Sequence, residues 1–225
     1  HAKKKKMSEQ TYAEEIRKTY AYMADQIQKE IDGFYAKYAN AEKISLAEAK
    51  RRVSKLDIEE YGRKAAKYVK EKDFSDQANE EMRLYNATMK INRLELLKAN
   101  IGLEMVSGFD ELQKYFDRTL TQQTIEEFRR QAGILGNSVQ ENGKMARAIV
   151  DASFHNATYS DRIWMYQDML KAELDKLLKT GLIQGKNPRE LAVHLQKRFG
   201  ASREDAERLM VTELARVQTE AQKQS

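Results

Sequence analysis

Apolar residues recur every three or four positions through most of the chain, which is the pattern of amphipathic α-helices. The longest such series, called the tyrosine stripe, has a mean spacing of about 3.7 residues, which predicts a nearly straight helix rather than a heptad coiled coil. Its members are Tyr12, Ile16, Tyr20, Met23, Ile27, Ile31, Phe34 and Tyr38.

Tyrosine is favoured where a surface is apolar on one side and wet on the other. The stripe therefore has two interpretations. It either binds a partner, with Tyr12, Tyr20, Ile27 and Tyr38 as the contact residues, or packs against the next helix of the same chain.

Three further starts are marked by residues that cap helices. Ser45 with Glu48 predicts a second helix that continues to about Lys72, with Asp57 and Glu60 as another start or a bend. Ser75 predicts the N-cap of a long helix that runs to Val106, and its apolar positions are Ala78, Met82, Tyr85, Met89, Leu96, Ala99, Leu103 and Val106.

Glycines then divide the middle of the chain. Gly102 and Gly108 predict a kink or a close contact near the end of the long helix. Thr121 predicts the start of another helix, which Gly136 ends. The stretch "GNSVQENG", residues 136–143, predicts a flexible connection, so we place a domain boundary between an N-terminal helical region, 1–136, and a C-terminal helical module, 137–225.

The C-terminal module carries the clearest capping signals. Asn187, Pro188 and Glu190 form an N-terminal cap, a first-turn proline and a capping box. Gly200 predicts the end of that helix and Ser202 the cap of the next, so the chain is expected to form a hairpin that turns at "FGAS".

Glu213 borders the apolar stripe of the second predicted helix, where a carboxylate needs a cationic partner. Arg216, three residues later, is the nearest candidate, with Arg198 and Arg208 as alternatives. A lone catalytic glutamate is the other interpretation, but a structural ion pair is favoured.

The stretch "SFHNATYSDRIWMY" is the most aromatic part of the chain. His155, Asn156 and Asp161 offer polar groups for a ligand pocket. No second histidine or carboxylate stands at the spacing of a zinc-binding helix, so a structural turn with aromatic packing is the favoured interpretation.

Composition agrees with a helical fold. One proline, ten glycines, 8% aromatic and 33% charged residues are typical of long helices with one wet face, and predict an all-α, elongated, multi-helix assembly. The absence of cysteine excludes disulfides, thiolate nucleophiles and cysteine zinc sites. No catalytic or metal-binding constellation is evident, so we expect neither an enzyme nor a cofactor.

The net charge is +5, and the one block of like charge is "KKKK", Lys3 to Lys6. Such an arm either neutralises the phosphates of DNA or is simply solvated. The chain begins at His1 and stops at "AQKQS" within a helical pattern, so we expect it to be a piece of a longer protein.

The stretch from Leu174 to Ala221 resembles the signature of the tailed-bacteriophage minor head protein family, also called the phage head morphogenesis (Mu F-like) family. The resemblance extends more loosely over about residues 120 to 222. Val211 departs from the pattern, because members often have an arginine there. The matching residues are Gly185, Asn187, Leu191, Ala192, Leu195, Ser202, Ala206, Leu209, Thr212, Glu213 and Ala221.

The resemblance implies a structural protein of the virion that sits inside the phage head, docks at or near the portal vertex and assists procapsid assembly, DNA packaging or DNA delivery. Its partners would be the portal protein, the major capsid or scaffolding protein and double-stranded DNA, with no membrane, and the host cytoplasm would be its location during assembly. The residues expected to shape the module are Asn187, Pro188, Ser202, Thr212, Glu213 and Arg216. The alternative is a DNA-binding accessory protein without sequence preference.

Overall fold

The computed structural model describes residues 2–38, 46–88, 92–132, 139–153 and 156–223. Within these residues the chain forms eight helices and no strand, which confirms the predicted all-α fold. The helices are α1 (Ala2–Tyr38), α2 (Leu46–Ala49), α3 (Lys55–Lys72), α4 (Asp76–Thr88), α5 (Arg93–Ala132), α6 (Val139–Val150), α7 (Tyr159–Ile183) and α8 (Pro188–Lys223).

The helices divide into two compact units, and each unit combines stretches that are distant in sequence. Helices α1, α5, α7 and α8 contribute to both units. The predicted domain boundary between residues 136 and 137 lies outside the described residues and stays a prediction. Unit 1 consists of His1–Arg17, Glu111–Tyr166 and Arg203–Ser225, and unit 2 of Lys18–Asp110 and Gln167–Ser202.

Helix α5 is the central element of unit 2, since every residue from 101 to 110 is buried. Both Gly102 and Gly108 lie inside this helix. A Cβ added to Gly108 would lie 2.6 Å from the Met23 Sδ, so the glycine lets α1 approach α5 closely. Of the two roles predicted for these glycines, close contact is the one that Gly108 fulfils.

Side chains of α7 and α8 also pack in the core of unit 2. Ile27 and Ile31 of α1 line one small apolar space together with Leu174 of α7 and Leu191 of α8. A second cluster joins α3 to the start of α5 through Tyr61, Leu96 and Ala99, with Val53 beside them. The buried side chains of unit 1 include Phe116, Leu120 and Phe128 of α5, Tyr159 and Trp164 of α7, and Met210 and Val217 of α8.

The predicted second helix is interrupted. Ser45 lies outside the described residues, and α2 ends after one turn at Ala49. Helix α3 begins after Ser54, whose hydroxyl accepts from the Asp57 N–H while the Asp57 carboxylate accepts from the Ser54 N–H. Asp57 is therefore the N3 residue of a capping box whose cap is Ser54, so the predicted start or bend at Asp57 with Glu60 is wrong. The helix ends at Lys72, as predicted.

The predicted long helix from Ser75 to Val106 is also two helices. Ser75 does cap α4, since its Oγ accepts from the Ala78 N–H at 3.2 Å. Helix α4 ends at Thr88, and α5 starts with Asn92 as its cap, which accepts from the Glu95 N–H at 2.9 Å. Met89 lies outside the described residues.

The predicted helix start at Thr121 is wrong, because α5 continues through it to Ala132. Thr124, one turn later, donates its hydroxyl hydrogen to the Leu120 carbonyl oxygen at 2.7 Å, so a polar side chain is satisfied without ending the helix. The predicted connection 136–143 is wrong in part, since α6 begins at Val139, and residues 136–138 lie outside the described residues.

The predicted C-terminal hairpin is wrong. Helix α8 runs without interruption through Gly200 and Ser202, so "FGAS" is not a turn. A glycine inside a helix costs about 1 kcal/mol relative to alanine, and tertiary packing of the apolar face outweighs a cost of that size. Phe199 and Ala206, on either side of the expected turn, are both buried.

Candidate functional site

The family motif divides between the two ends of α8. Asn187 caps the helix as predicted, because its Oδ1 accepts from the Glu190 N–H at 3.0 Å and the Glu190 carboxylate accepts from the Asn187 N–H at 3.1 Å. Ser202, predicted as a second cap, lies in the helix interior and is buried. Thr212, Glu213 and Arg216 lie in unit 1. Thr212 is on the exposed side of the helix, and Glu213 and Arg216 are on the opposite side.

Glu213 and Arg216 form a buried ion pair, which confirms the predicted partnership. The Arg216 Nε donates to the Glu213 Oε2 at 2.8 Å, and the Nη2 lies 2.7 Å from the same oxygen. Side-chain exposure is 7% for Arg216 and 1% for Glu213. The two residues are one helical turn apart on the inner side of α8.

Arg216 also closes the end of another helix. Its Nη1 donates to the Ile149 carbonyl oxygen at 2.8 Å and its Nη2 to the Val150 carbonyl oxygen at 3.1 Å. These carbonyls belong to the last turn of α6, where the helix leaves acceptors without their usual partners and carries partial negative charge. The pair and the two carbonyls, called the Arg216 clamp, therefore attach α6 to α8 within unit 1.

The same turns of α8 present an exposed face, called the outer face, on the opposite side. Val211 is 51% exposed, so an apolar side chain lies at the surface of these turns. The face contains Arg208, Val211, Thr212, Ala215 and Thr219, spaced as one stripe along the helix. The motif residue Thr212 and the departure at Val211 thus both lie at the surface.

A half-buried tyrosine of α7 lies near this face. Burial raises the pKa of the Tyr166 phenol, and Asp205 of α8 raises it further, while Arg162 and Arg208 act in the opposite direction. The phenol therefore sits among charges of both signs. Tyrosine and arginine are two of the residue types enriched in protein interfaces.

The middle of the tyrosine stripe is buried in the chain itself. Tyr20 is 2% exposed, and its ring packs edge-on against Phe109 and Phe199 at centroid distances of 5.7 and 6.4 Å. Ile27 is fully buried. The partner-contact interpretation is therefore wrong for Tyr20 and Ile27, because both side chains face the core of unit 2.

The two ends of the stripe are half-buried and hydrogen-bonded within the chain. The Tyr12 hydroxyl donates to the Gln123 Oε1 at 3.5 Å, and the Tyr38 hydroxyl donates to the Asp57 carboxylate. Burial, followed by the neighbouring Asp57 carboxylate, raises the pKa of Tyr38. The hydroxyl hydrogens of both tyrosines are therefore engaged within the chain.

The Asp57 carboxylate accepts hydrogen bonds from three residues of unit 2. Burial by itself raises the pKa of this carboxyl, but hydrogen bonds from Lys37, Tyr38 and Ser54 outweigh burial and lower the pKa to about 2. The carboxylate thus joins the end of α1 to the start of α3. Sequence spacing predicted Asp57 as a helix start with Glu60 and did not indicate Ser54, Lys37 and Tyr38 as its partners.

The aromatic passage is a packed corner in its described part. His155 lies outside the described residues. Thr158 caps α7, because its Oγ1 accepts from the Asp161 N–H at 3.0 Å, and the Asp161 carboxylate accepts from the Thr158 N–H at 2.9 Å. Tyr159 stacks on Phe116 at 6.2 Å and donates to the Asp117 Oδ1 at 3.0 Å. The structural interpretation therefore holds for Asp161.

Arg147 joins the same corner by donating to the Asp117 Oδ2 at 3.1 Å and to the Thr121 Oγ1 at 3.0 Å. No pattern in the sequence predicts this network. Asp117 and Arg147 are 30 residues apart, so no periodicity connects them.

The lysine arm lies in the first turns of α1. The structure describes the side chains of this helix only from Gln10 onward, so DNA contact by Lys3, Lys4, Lys5 and Lys6 stays a prediction. Across the described residues, no group of three or more histidine, cysteine, aspartate or glutamate side chains is placed to hold a metal ion. None of the described helices has both the length and the apolar character needed to cross a membrane.

Comparison with protein-family models, curated proteins and solved structures finds no match to this chain. The resemblance to phage minor head proteins therefore rests on the residues quoted above and stays a prediction.

Proposed function

We propose that this chain is a structural protein of a phage head that docks at or near the portal vertex and acts by binding. One observation carries the proposal. The Thr-Glu pair through which the chain resembles minor head proteins divides between a buried clamp, which contains Glu213, and an exposed face on the same turns of α8, which contains Thr212.

The buried half supports a structural role for the motif. Both charged groups of the Arg216 clamp are engaged, Glu213 with Arg216 and Arg216 with two carbonyl oxygens. A carboxylate that is paired and almost fully buried is not poised as a general base for a substrate. The clamp instead holds α6 on α8, so the outer face is presented on a fixed support.

The exposed half supplies the surface for docking. Val211 offers apolar area, and Arg208, Thr212 and the nearby Tyr166 offer polar groups around it. An apolar centre with a polar rim is the usual arrangement of a protein interface. We assign the portal protein as the partner, as the family resemblance implies.

The test is capture of the portal protein of the same phage by the immobilised chain, across a salt series and with double-stranded DNA as competitor. Val211→Asp should weaken capture about tenfold, because it removes apolar area and introduces a charge at the centre of the outer face. Val193→Asp is the matched control, since Val193 is 60% exposed on α8 but lies in unit 2.

Capture that survives salt and DNA, and that Val211→Asp weakens more than Val193→Asp, supports the proposal. No capture by the unmodified chain, or equal capture by both variants, contradicts docking through the outer face. Salt-sensitive retention of DNA that disappears when Lys3 to Lys6 are removed would instead support the DNA-binding alternative.

A further inference from the structure

Unit 2 contains a cavity of about 300 Å³ between α1, α3 and the start of α5. This volume lies at the lower end of the range for small-molecule sites and holds roughly ten waters at their volume in the liquid. The lining is rich in charged and aromatic side chains, including Lys37, Tyr38, Lys64 and Arg93. A lining cation that has no carboxylate partner would be available to pair with a ligand.

Two of the three cations that line the cavity are already paired. Lys37 contacts Asp57, and its Nζ lies 3.8 Å from the Glu60 carboxylate. Lys64 bridges Glu30 and Glu104, with its Nζ 2.9 Å from the Glu104 Oε1. These lysines are therefore neutralised by residues of the chain itself.

Arg93 differs from both lysines. Its guanidinium lies over the Tyr38 ring, 4.2 Å from the ring centroid, and makes no ion pair with any described residue. Its Nε is buried and has no hydrogen-bond partner. A buried donor without a partner costs about 1–3 kcal/mol, so native structures rarely retain one without a reason.

The contact with the ring also restricts the position of the group. A guanidinium is planar, so a carboxylate or phosphate can accept two of its N–H groups at once. The Tyr38 ring is held in turn by its hydrogen bond to Asp57. Arg93 is therefore fixed beside the cavity.

We propose that this cavity binds a small ligand through an anionic group, a carboxylate or a monophosphate, that pairs with Arg93. The six lining side chains that are charged at neutral pH are three cations, Lys37, Lys64 and Arg93, and three carboxylates, Glu30, Asp57 and Glu60, so their formal charges cancel. A ligand with one anionic group suits this balance better than a polyphosphate, which the carboxylates would repel. The cavity lies in unit 2 and the outer face of α8 in unit 1, so this inference is independent of portal docking.

The test uses the full chain, isotope-labelled for NMR, and follows the Nε–Hε signals of its arginines. Inorganic phosphate, succinate and L-glutamate are titrated separately to about 10 mM, which covers dissociation constants in the millimolar range and below. We expect at least one probe to shift the Arg93 signal in a saturable way. Comparison of phosphate with the two carboxylates identifies the anionic group that the site prefers.

Arg93→Gln should weaken binding of that probe tenfold or more, about the effect of losing a charge-assisted bidentate contact. Arg63→Gln is the matched control, because it removes the same charge from an exposed position of α3 outside the cavity lining, and it should leave the affinity unchanged. Circular dichroism checks that each variant is folded. If Arg93→Gln unfolds, Arg93→Lys replaces it, and loss of the planar fork should still weaken binding several-fold.

The proposal is overturned if no probe gives a saturable shift, or if Arg93→Gln and Arg63→Gln bind equally well. The second result would mean that the anions act only by screening charge.

Discussion

Tyr20 of α1 and Ser202 of α8 form a hydrogen bond within unit 2, with 2.9 Å between the phenol Oη and the serine Oγ. The same phenol donates to the Ser202 carbonyl oxygen at 3.2 Å. Two residues that are 182 positions apart therefore supply each other's hydrogen-bond partners inside the core. The contact accounts for a serine inside a continuous helix and for a buried tyrosine hydroxyl.

We predict that Tyr20→Phe and Ser202→Ala are coupled. Tyr20→Phe should lower the free energy of unfolding by about 1 kcal/mol, the usual net value of one hydrogen bond. Ser202→Ala should cost less, because alanine favours the helix by a few tenths of a kcal/mol. Urea unfolding of both single variants and the double variant gives the coupling energy. Strictly additive effects would contradict the contact.

The continuity of α8 can be tested at Gly200. Gly200→Ala should raise the free energy of unfolding by about 1 kcal/mol, because alanine is the better helix former and a Cβ at this position meets nothing within 4 Å. In the hairpin that the sequence suggested, glycine would end a helix in a left-handed conformation and the same change would destabilise. Thermal or urea unfolding gives the sign.

Gly108→Ala is the comparison for Gly200→Ala, since both glycines are helical. Its Cβ would lie 2.6 Å from the Met23 Sδ and 3.1 Å from the Met23 Cβ, so α1 and α5 must separate or repack. We expect destabilisation of about 1–3 kcal/mol, the usual cost of overpacking. Stabilisation by both substitutions would contradict the close approach of α1 to α5.

The Arg216 clamp should be sensitive to loss of either partner. Arg216→Met leaves Glu213 buried without a cation and should lower the free energy of unfolding by about 3–5 kcal/mol. Lys223→Met is the matched control, because Lys223 pairs with Glu220 at the same spacing on the same helix, with side-chain exposures of 66% and 41%. An exposed pair of this kind is worth about 1 kcal/mol or less. Urea unfolding that shows equal losses would mean that the clamp does not stabilise unit 1.

Stability at acid pH should depend on Asp57. Its pKa is about 2 in the folded protein against 3.8 for the unperturbed carboxyl, so the folded state favours the charged form. The resulting stabilisation, about 2 kcal/mol from this difference, is complete above the unfolded pKa and is lost as the pH falls from about 4 to about 2. The difference in unfolding free energy between the unmodified chain and Asp57→Asn should therefore shrink across that window.

Asp25→Asn is the control for the pH series. Asp25 of α1 has a side chain that is 60% exposed, and among the described residues it pairs only with Lys29, which is also exposed. A difference for Asp57→Asn that stays constant from pH 6 to pH 2 would contradict the role of the three hydrogen bonds.

Features that depend on neighbours in sequence were predicted well. The all-α class follows from apolar spacing, and the caps at Ser75 and Asn187 were correct because a cap and its N–H partner are three residues apart. The pair of Glu213 and Arg216 was found for the same reason. Each of these is an interaction within one helical turn.

Features that depend on contacts between residues distant in sequence were not predicted. Gly200 and Ser202 carry the local signature of a turn, yet the packing of Phe199 and the hydrogen bond from Tyr20 keep the helix continuous. The tyrosine stripe was correctly recognised as one face of a helix, but periodicity cannot say whether such a face meets solvent, a partner or the same chain.

The sequence by itself thus determined that the chain is helical, where several helices begin, and which local pairs form. Only the tertiary structure decided that α8 is one helix, that the middle of the tyrosine stripe is core, and that Arg93 lies beside a cavity without an ion pair to any described residue. The physical reason is that helix formation and capping are governed by hydrogen bonds within about four residues, whereas burial and ion pairing depend on which distant helices meet.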